Sequence, residues 1–348
     1  MKKIFVILLI FNVLQTNAQT NVVQAGKGII PQNSIFYSLP QTEIVVQATV
    51  KKIVQQPGPF ANYAKRFLAV DNVITSKSES WKLENINILY NLVPDESKKF
   101  AVEINSKTSA CNIKFSPKGI IEGVNISKTD NFVPQKEIFA EQNGDTAINF
   151  DYSVLTEDAL TATSEAKMAE MAAKQIFRIR ENRMDILSGE SEKEISGEAL
   201  TLIISELNRI ENELVALFEG KSRTFTETKT FCIIPKTEVE NEVLFRFSPL
   251  LGVVEKDNLA GHPITLTIKT DSRKIFNSDD KKVKKFGIFY NVPVDAKISV
   301  TDLNKTFAET TLLFPQFGYI NFLPATLFDK KNTQIKFNEF GGIESIEQ

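Results

Sequence analysis

The stretch IFYSLPQTEIVVQATVKKIV (residues 35–54) begins with three large side chains and a proline, then alternates apolar and polar residues. Alternation over this length is the mark of a strand with one covered face. A near copy of its opening, IFYNVP, stands at residues 288–293 and again runs on into alternation, AKISVTDL. Pro40 and Pro293 each remove a ladder donor, so each phrase reads as the start of a strand broken at its proline. The echo predicts equivalent strands in two similar β-rich units, one near each end of the chain. Coincidence is the competing account, because the phrase is short and carries two conservative changes.

Between the two phrases lies the clearest helical signal. Residues 164–187 place Met168, Met171, Ala172, Ile176, Ile179, Ile186 and Leu187 mostly on one side, and Gly189 stops the run. Residues 198–219 carry a cleaner stripe of Leu200, Ile203, Ile204, Leu207, Ile210, Leu214, Leu217 and Phe218, ended by Gly220. The polar SGESEKEISG between them predicts an antiparallel helical hairpin whose inner faces cover each other and one further surface, taken as a sheet. A shorter apolar stripe, Phe60, Tyr63, Ala64, Phe67 and Leu68, follows Pro57-Gly58-Pro59 and predicts a short helix docked on the amino-terminal sheet.

Outside the helices the chain reads as many short strands, and such spacing suggests sandwich-like packing. The expected fold class is α+β, mainly antiparallel β, with two sandwich-like β-rich units bracketing the long antiparallel hairpin. The expected division is a signal peptide at 1–18, an amino-terminal β-rich unit with one short helix at 19–126 and a loop or linker at 127–163. The helical hairpin at 164–220 and a carboxy-terminal β unit at 221–348 complete it.

The first residues, MKKIFVILLIFNVLQTNAQT, join two lysines, an apolar run and a small-residue approach to Ala18. That order predicts a secretory signal peptide cleaved near Ala18, and the apolar run is short for a bilayer span. A buried first strand is the alternative reading. No cysteine follows the run where a lipid anchor would need one, and no later stretch suits a membrane helix. The expected location is periplasmic or secreted.

With 348 residues, 42% hydrophobic and 24% charged, the chain can bury an ordinary core. A formal net charge of −2 offers no basic field for a phosphate backbone, so no nucleic-acid partner is expected. Phenylalanine dominates the aromatics, 26 against six tyrosines and one tryptophan, which points to packed sheet faces. Cys111 and Cys232 are the only cysteines; an oxidising compartment permits a disulfide between them, and two buried free thiols are the equally plain alternative.

Chemistry is hard to find. His262 is the only histidine and lies in a Gly-His-Pro turn, so triads and the usual zinc spacings lack their parts. No glycine-rich phosphate loop joins a strand to a helix, and no cofactor is expected. Carboxylate-pair glycan hydrolysis needs only two converging acids, and 43 acidic residues keep it as the alternative. Aromatic side chains offer a binding route: Tyr63, Phe67, Trp81 and Tyr90 would form a contact patch if exposed together, whereas Tyr63 and Phe67 are otherwise the buried stripe of the short helix.

The phrases FYSLP, PGPFANYAKRFL, ALTATSEAKMAEMAAKQIFRIRENRMDILSGE, GEALTLIISELNRIENELVALFEGK, GIFYNVP and PQFGYINFLP span most of the chain. Together they resemble the secreted bacterial family grouped as Domain of Unknown Function 4831. The resemblance implies an exported protein of one shared architecture and brings no catalytic motif. Asp145-Thr146-Ala147 also resembles the acidic-Thr-apolar O-glycosylation signal of the same bacterial group, which makes Thr146 a candidate. The expected function is an exported, non-enzymatic binding or structural protein of the cell envelope with a protein or glycan partner.

Overall fold

A computed structural model describes residues 22–25, 29–30, 32–103, 112–126, 147–190, 197–270, 287–303, 305–324, 327 and 333–347. The expected leader at 1–18, Cys111 and Thr146 lie outside these residues. The elements run β1 (Val22–Gln24), β2 (Ser34–Gln56), α1 (Ala64–Leu68), β3 (Ser78–Glu103), β4 (Ile113–Phe115) and β5 (Ile121–Val124). Then come α2 (Glu157–Leu160), α3 (Glu165–Ser188), α4 (Glu198–Glu219), β6 (Lys221–Ile233), β7 (Val239–Ser248), β8 (Gly252–Val254) and β9 (His262–Thr270). The chain finishes with β10 (Gly287–Thr301), β11 (Thr306–Pro324), β12 (Gln334–Phe337) and β13 (Ile343–Glu347). His262 opens a strand rather than sitting in the expected turn, because it pairs with Phe247.

The architecture is mostly antiparallel β in several sheets, with a few helices. The three sheets have the orders β1-β3-β2-β6, β11-β10-β9-β7-β8 and β13-β12-β5-β4. They cut across sequence order: β6, which follows the helices, joins β2, and β12 near the carboxy end pairs with β5. The 19–126 and 221–348 segments therefore build two of the three sheets jointly, while the β7–β11 strands form theirs within the second segment alone.

The prolines bend strands rather than break them. Pro40 lies opposite Pro94 at a register shift, within one continuous β2–β3 ladder. At that point neither strand has a second neighbour, since β6 begins its pairing at Ile44 and β1 reaches only Phe100. A missing N–H there leaves no ladder bond unmade, so a bulge absorbs the ring. Pro293 sits likewise at a shift between Val292 and Val294 in the β10–β11 ladder. Past each proline the strand gains a second neighbour, β6 for β2 and β9 for β10.

The two echoed phrases thus occupy matching bends, and they also touch. Tyr37 Oη accepts the Phe289 N–H at 2.9 Å and donates to the Phe289 carbonyl at 3.2 Å. Asn291 Nδ2 donates to the Pro40 carbonyl at 3.0 Å. Before the bends, Tyr37, Leu39, Phe100, Ile288 and Leu323 share a core with Ile335 and Phe337 of the small sheet. Beyond them, Ile44, Val46 and Ala48 pack against Leu266, Ile268, Ile298 and Phe314 of the second sheet.

A third core belongs to the helices. Ala169, Ala172, Ala173, Ile176 and Ile179 of α3 meet Leu214, Leu217 and Phe218 of α4. The short helix packs here through Phe60 and Ala64, not on the amino-terminal sheet as expected. The reason is local: the Phe60 N–H donates to the Leu217 carbonyl at 2.8 Å, satisfying one of the acceptors a helix end leaves open. Gly58 allows that approach, since a Cβ there would collide with the same carbonyl.

Candidate binding surface

The helical core covers only half of each long helix. Buried side chains in α3 stop at Ile179, and in α4 they begin at Glu211. Glu211 marks the boundary, accepting from Arg180 Nε at 2.6 Å and from Arg183. Arg183 also reaches Asn208 Oδ1 at 2.7 Å, so the contacts step forward along α3 and backward along α4. Burial pushes the Glu211 carboxyl up, but the hydrogen bonds from Arg180 and Arg183 outweigh it and hold the group below its ordinary value.

Beyond that boundary the apolar stripe is only half-covered: Ile186, Leu200, Ile203, Ile204 and Leu207 are half-buried. Beside them Leu187, at the end of the α3 stripe, is 62% exposed, and Met184 and Leu202, which lie off the stripes, are 64% and 70% exposed. Phe177 also faces outward from the middle of α3. A run of exposed methionine and leucine on two adjacent helices is the kind of surface that marks an interaction site. Periodicity announced the stripe but not where its cover ends.

The expected aromatic patch is divided among separate settings. Tyr63 and Phe67 stack on each other, centroids 6.1 Å apart, and pack half-buried against the helical core. Trp81 lies at the β7–β8 turn, where its backbone N–H donates to the Pro249 carbonyl at 2.7 Å and Lys52 Nζ stands 5.5 Å from its ring centroid. The same turn exposes Leu250 and Leu251. Tyr90 lies further along β3, its hydroxyl donating to Glu339 Oε1 at 2.9 Å and its ring 5.6 Å from Phe340. Only Tyr63 and Phe67 are brought into contact.

Cys232 is exposed on β6 opposite Val45, and burial first, then the charge of Glu43, raises its thiol. Its expected partner Cys111 and the candidate Thr146 are among the residues named above as outside the described set.

Sequence reading missed Glu339. Burial pushes its carboxyl up against the opposing hydrogen bond from Tyr90, and its Oε2 is buried without a partner among the described residues. Tyr90 is pushed up to about 12 by burial and by that same carboxylate. The turn that carries Glu339 is wedged at the proline bends: Asn291 N–H donates to the Gly341 carbonyl at 3.0 Å. Gly341 has φ +76°, and a Cβ there would lie 2.8 Å from the Pro40 ring. The Asn-Glu-Phe-Gly-Gly sequence signals a turn, but nothing local names its distant partners.

A polar cleft of about 500 Å³ lies where α4 ends and β6 begins, lined by Gln55, Asn72, Thr75, Ser76, Glu219 and Ser222 among others. Its described lining contains one carboxylate, Glu219, whereas acid–base hydrolysis of a glycan uses two. No helix among the described residues is long and apolar enough to cross a membrane.

None of the curated proteins or solved structures compared with the chain matches it. A family model does, over residues 33–344, which is nearly the whole length. The chain therefore belongs to the family described as Domain of unknown function (DUF4831).

Proposed function

We propose that this is an exported, non-enzymatic binding or structural protein of the bacterial envelope, released by cleavage near Ala18, with a protein or glycan partner. In this reading the β units form a sandwich-like body from which the antiparallel helical hairpin presents its outer end. The observation that carries the reading is the group of exposed apolar side chains Met184, Leu187 and Leu202 beyond the Glu211 boundary. Apolar side chains of this kind favour a protein partner over a glycan, because sugars are held chiefly by hydrogen bonds and aromatic faces.

The test is capture of partners from native envelope with tagged mature chain, analysing bound protein and glycan together. A stoichiometric protein retained by the native chain and lost from Met184→Asp/Leu202→Asp supports the proposal. Release of cleaved glycan, abolished by replacing an acid, would instead establish the carboxylate-based hydrolase. Mass spectrometry of the envelope protein should find Gln19 at the amino terminus, and an intact Met1 would defeat the export reading.

A further inference from the structure

The polar cleft at the carboxy end of α4 is assembled from that helix end, the 72–76 segment and the paired ends of β2, β3 and β6. The Ile74 N–H donates to the Glu219 carbonyl at 2.9 Å, which ties the 72–76 segment to the helix. The Gly220 N–H donates to the Ala216 carbonyl at 3.0 Å, and the next residue, Lys221, pairs with Gln56 to begin β6. On the strand side, Ser78 Oγ donates to Gln55 Oε1 at 3.0 Å. Walls held in this way are in place before a ligand arrives, and a preformed site spares binding the cost of ordering the chain.

The charge of the cleft is not balanced from within. Glu219 supplies a carboxylate that has neither an ion pair nor a hydrogen-bond partner among the described residues. Lys221, two residues on, is committed elsewhere: its Nζ lies 2.7 Å from Glu213 Oε2 and donates to the Asn149 carbonyl at 3.1 Å. Lys77 falls between two lining serines in sequence but is not part of the described lining, and its charge bears on Glu79. The side chains of Asn72, Thr75, Ser76 and Ser222 likewise make no hydrogen bond among the described residues. Their hydroxyl and amide groups can both donate and accept.

Three ligand classes fit this lining poorly. An anion would meet a carboxylate and the negative end of the α4 dipole, with no lysine or arginine in the described lining. A neutral sugar or a flat apolar ligand would find no aromatic face there. A calcium ion takes roughly six to eight oxygens, several from carboxylates, and no group of three acidic, histidine or cysteine side chains suited to a metal occurs among the described residues. We propose that the cleft binds a small polar amine, whose ammonium group pairs with Glu219 while its hydroxyl or amide groups bond to Asn72, Thr75, Ser76 and Ser222. The charge-assisted bond supplies affinity, and the neutral groups around it fix orientation. A volume of about 500 Å³ lies within the range of small-molecule sites. Glu219 stands roughly 25 Å along α4 from the exposed Leu202, at the helical rise per residue. The site is therefore independent of the outer helical group and goes beyond the proposed partner binding.

Calorimetric titration of the mature chain at about pH 6.5, where α-amino groups are mostly protonated, tests the proposal. The probes are glucosamine and diglycinamide, which carry the same ammonium chemistry on a sugar and on a peptide end. N-acetylglucosamine is the uncharged counterpart. One or both amines should bind, and which of them does identifies the source of the ligand; N-acetylglucosamine should not bind. Glu219→Gln keeps the shape and removes the charge, and should weaken amine binding about tenfold or more. Asn72→Ala/Thr75→Ala, at two exposed positions, should weaken it by a smaller factor, and thermal melts verify that both variants fold. Failure of both amines to bind at millimolar concentration overturns the proposal. So does N-acetylglucosamine binding as tightly as glucosamine, or amine binding indifferent to Glu219→Gln or to the double variant.

Discussion

The helical pair and the proline junction of β2 with β10 are held together in opposite ways. In the helical pair, neighbouring stretches of sequence supply a repeating apolar stripe, and only the inner half is covered. At the junction, residues 252 apart meet through individual hydrogen bonds, and Tyr37 is fully buried. A repeating stripe therefore says that a helix has a covered side without saying how much of it is covered. A buried polar contact, once made, leaves little tolerance on either side.

The sharpest way to break this comparison is to place one charge at each end of α4. Leu214→Asp puts an unpaired carboxylate into the packed helical core and should destabilise the chain by about 4 kcal/mol or more. Leu202→Asp puts the same carboxylate in solvent and should change stability by no more than about 0.5 kcal/mol. Leu207, half-buried between them, should give an intermediate loss. Thermal or denaturant melts of the three variants measure the gradient, and equal losses at positions 202 and 214 would remove the distinction between inner and outer ends.

The junction should be less costly to disturb but less forgiving of small changes. Tyr37→Phe removes one oxygen and leaves the Phe289 N–H and carbonyl without that partner, a loss of about 1–3 kcal/mol. Gly341→Ala combines a left-handed backbone with a Cβ pressed on Pro40, and should also cost about 1–3 kcal/mol. Denaturant melts that show either substitution to be neutral would mean that the junction is not the tight contact described.

These contrasts explain how much was legible in the sequence. The long helices were, because their spacing is local: 164–187 and 198–219 nearly coincide with α3 and α4. The mainly antiparallel β character was also legible, from alternation. The continuity of β2 through Pro40 was not, because proline signals a break wherever its unmade ladder bond matters. Whether it matters depends on neighbours far away in sequence. The echo of IFYSLP and IFYNVP was visible as a repetition, while the contact between its copies was not. Of the candidate site, Leu187 was visible as the end of the α3 stripe, and Met184 and Leu202 only as helical positions off the stripes. Leu202 and Met184 are exposed because their positions turn away from the core-facing stripes.

The smallest expected effects come from two carboxylates, one in each region, and they differ in sign. Glu211 is held below its ordinary value in the folded chain, so its ion pairs contribute stability that is present above about pH 4.5 and lost as pH falls through the lowered folded value. Glu339 is held above its ordinary value, so the folded chain takes up a proton more readily than the unfolded one. Its contribution is fully present below about pH 4.5 and is lost as pH rises through the raised folded value. Acidification should therefore weaken the helical pair while favouring the junction. Glu211→Gln should lower stability at neutral pH by about 1 kcal/mol, the scale of a partly exposed ion pair. Glu339→Gln keeps an acceptor for Tyr90 and removes the buried charge, so it should change neutral stability by a few tenths of a kcal/mol, about zero or favourable. Melts of the native chain and both variants between pH 4 and pH 7 provide the check. The native-minus-variant difference should shrink on acidification for Glu211→Gln and move toward the native chain for Glu339→Gln. Two differences that run in the same direction would show that one of these environments has been misassigned.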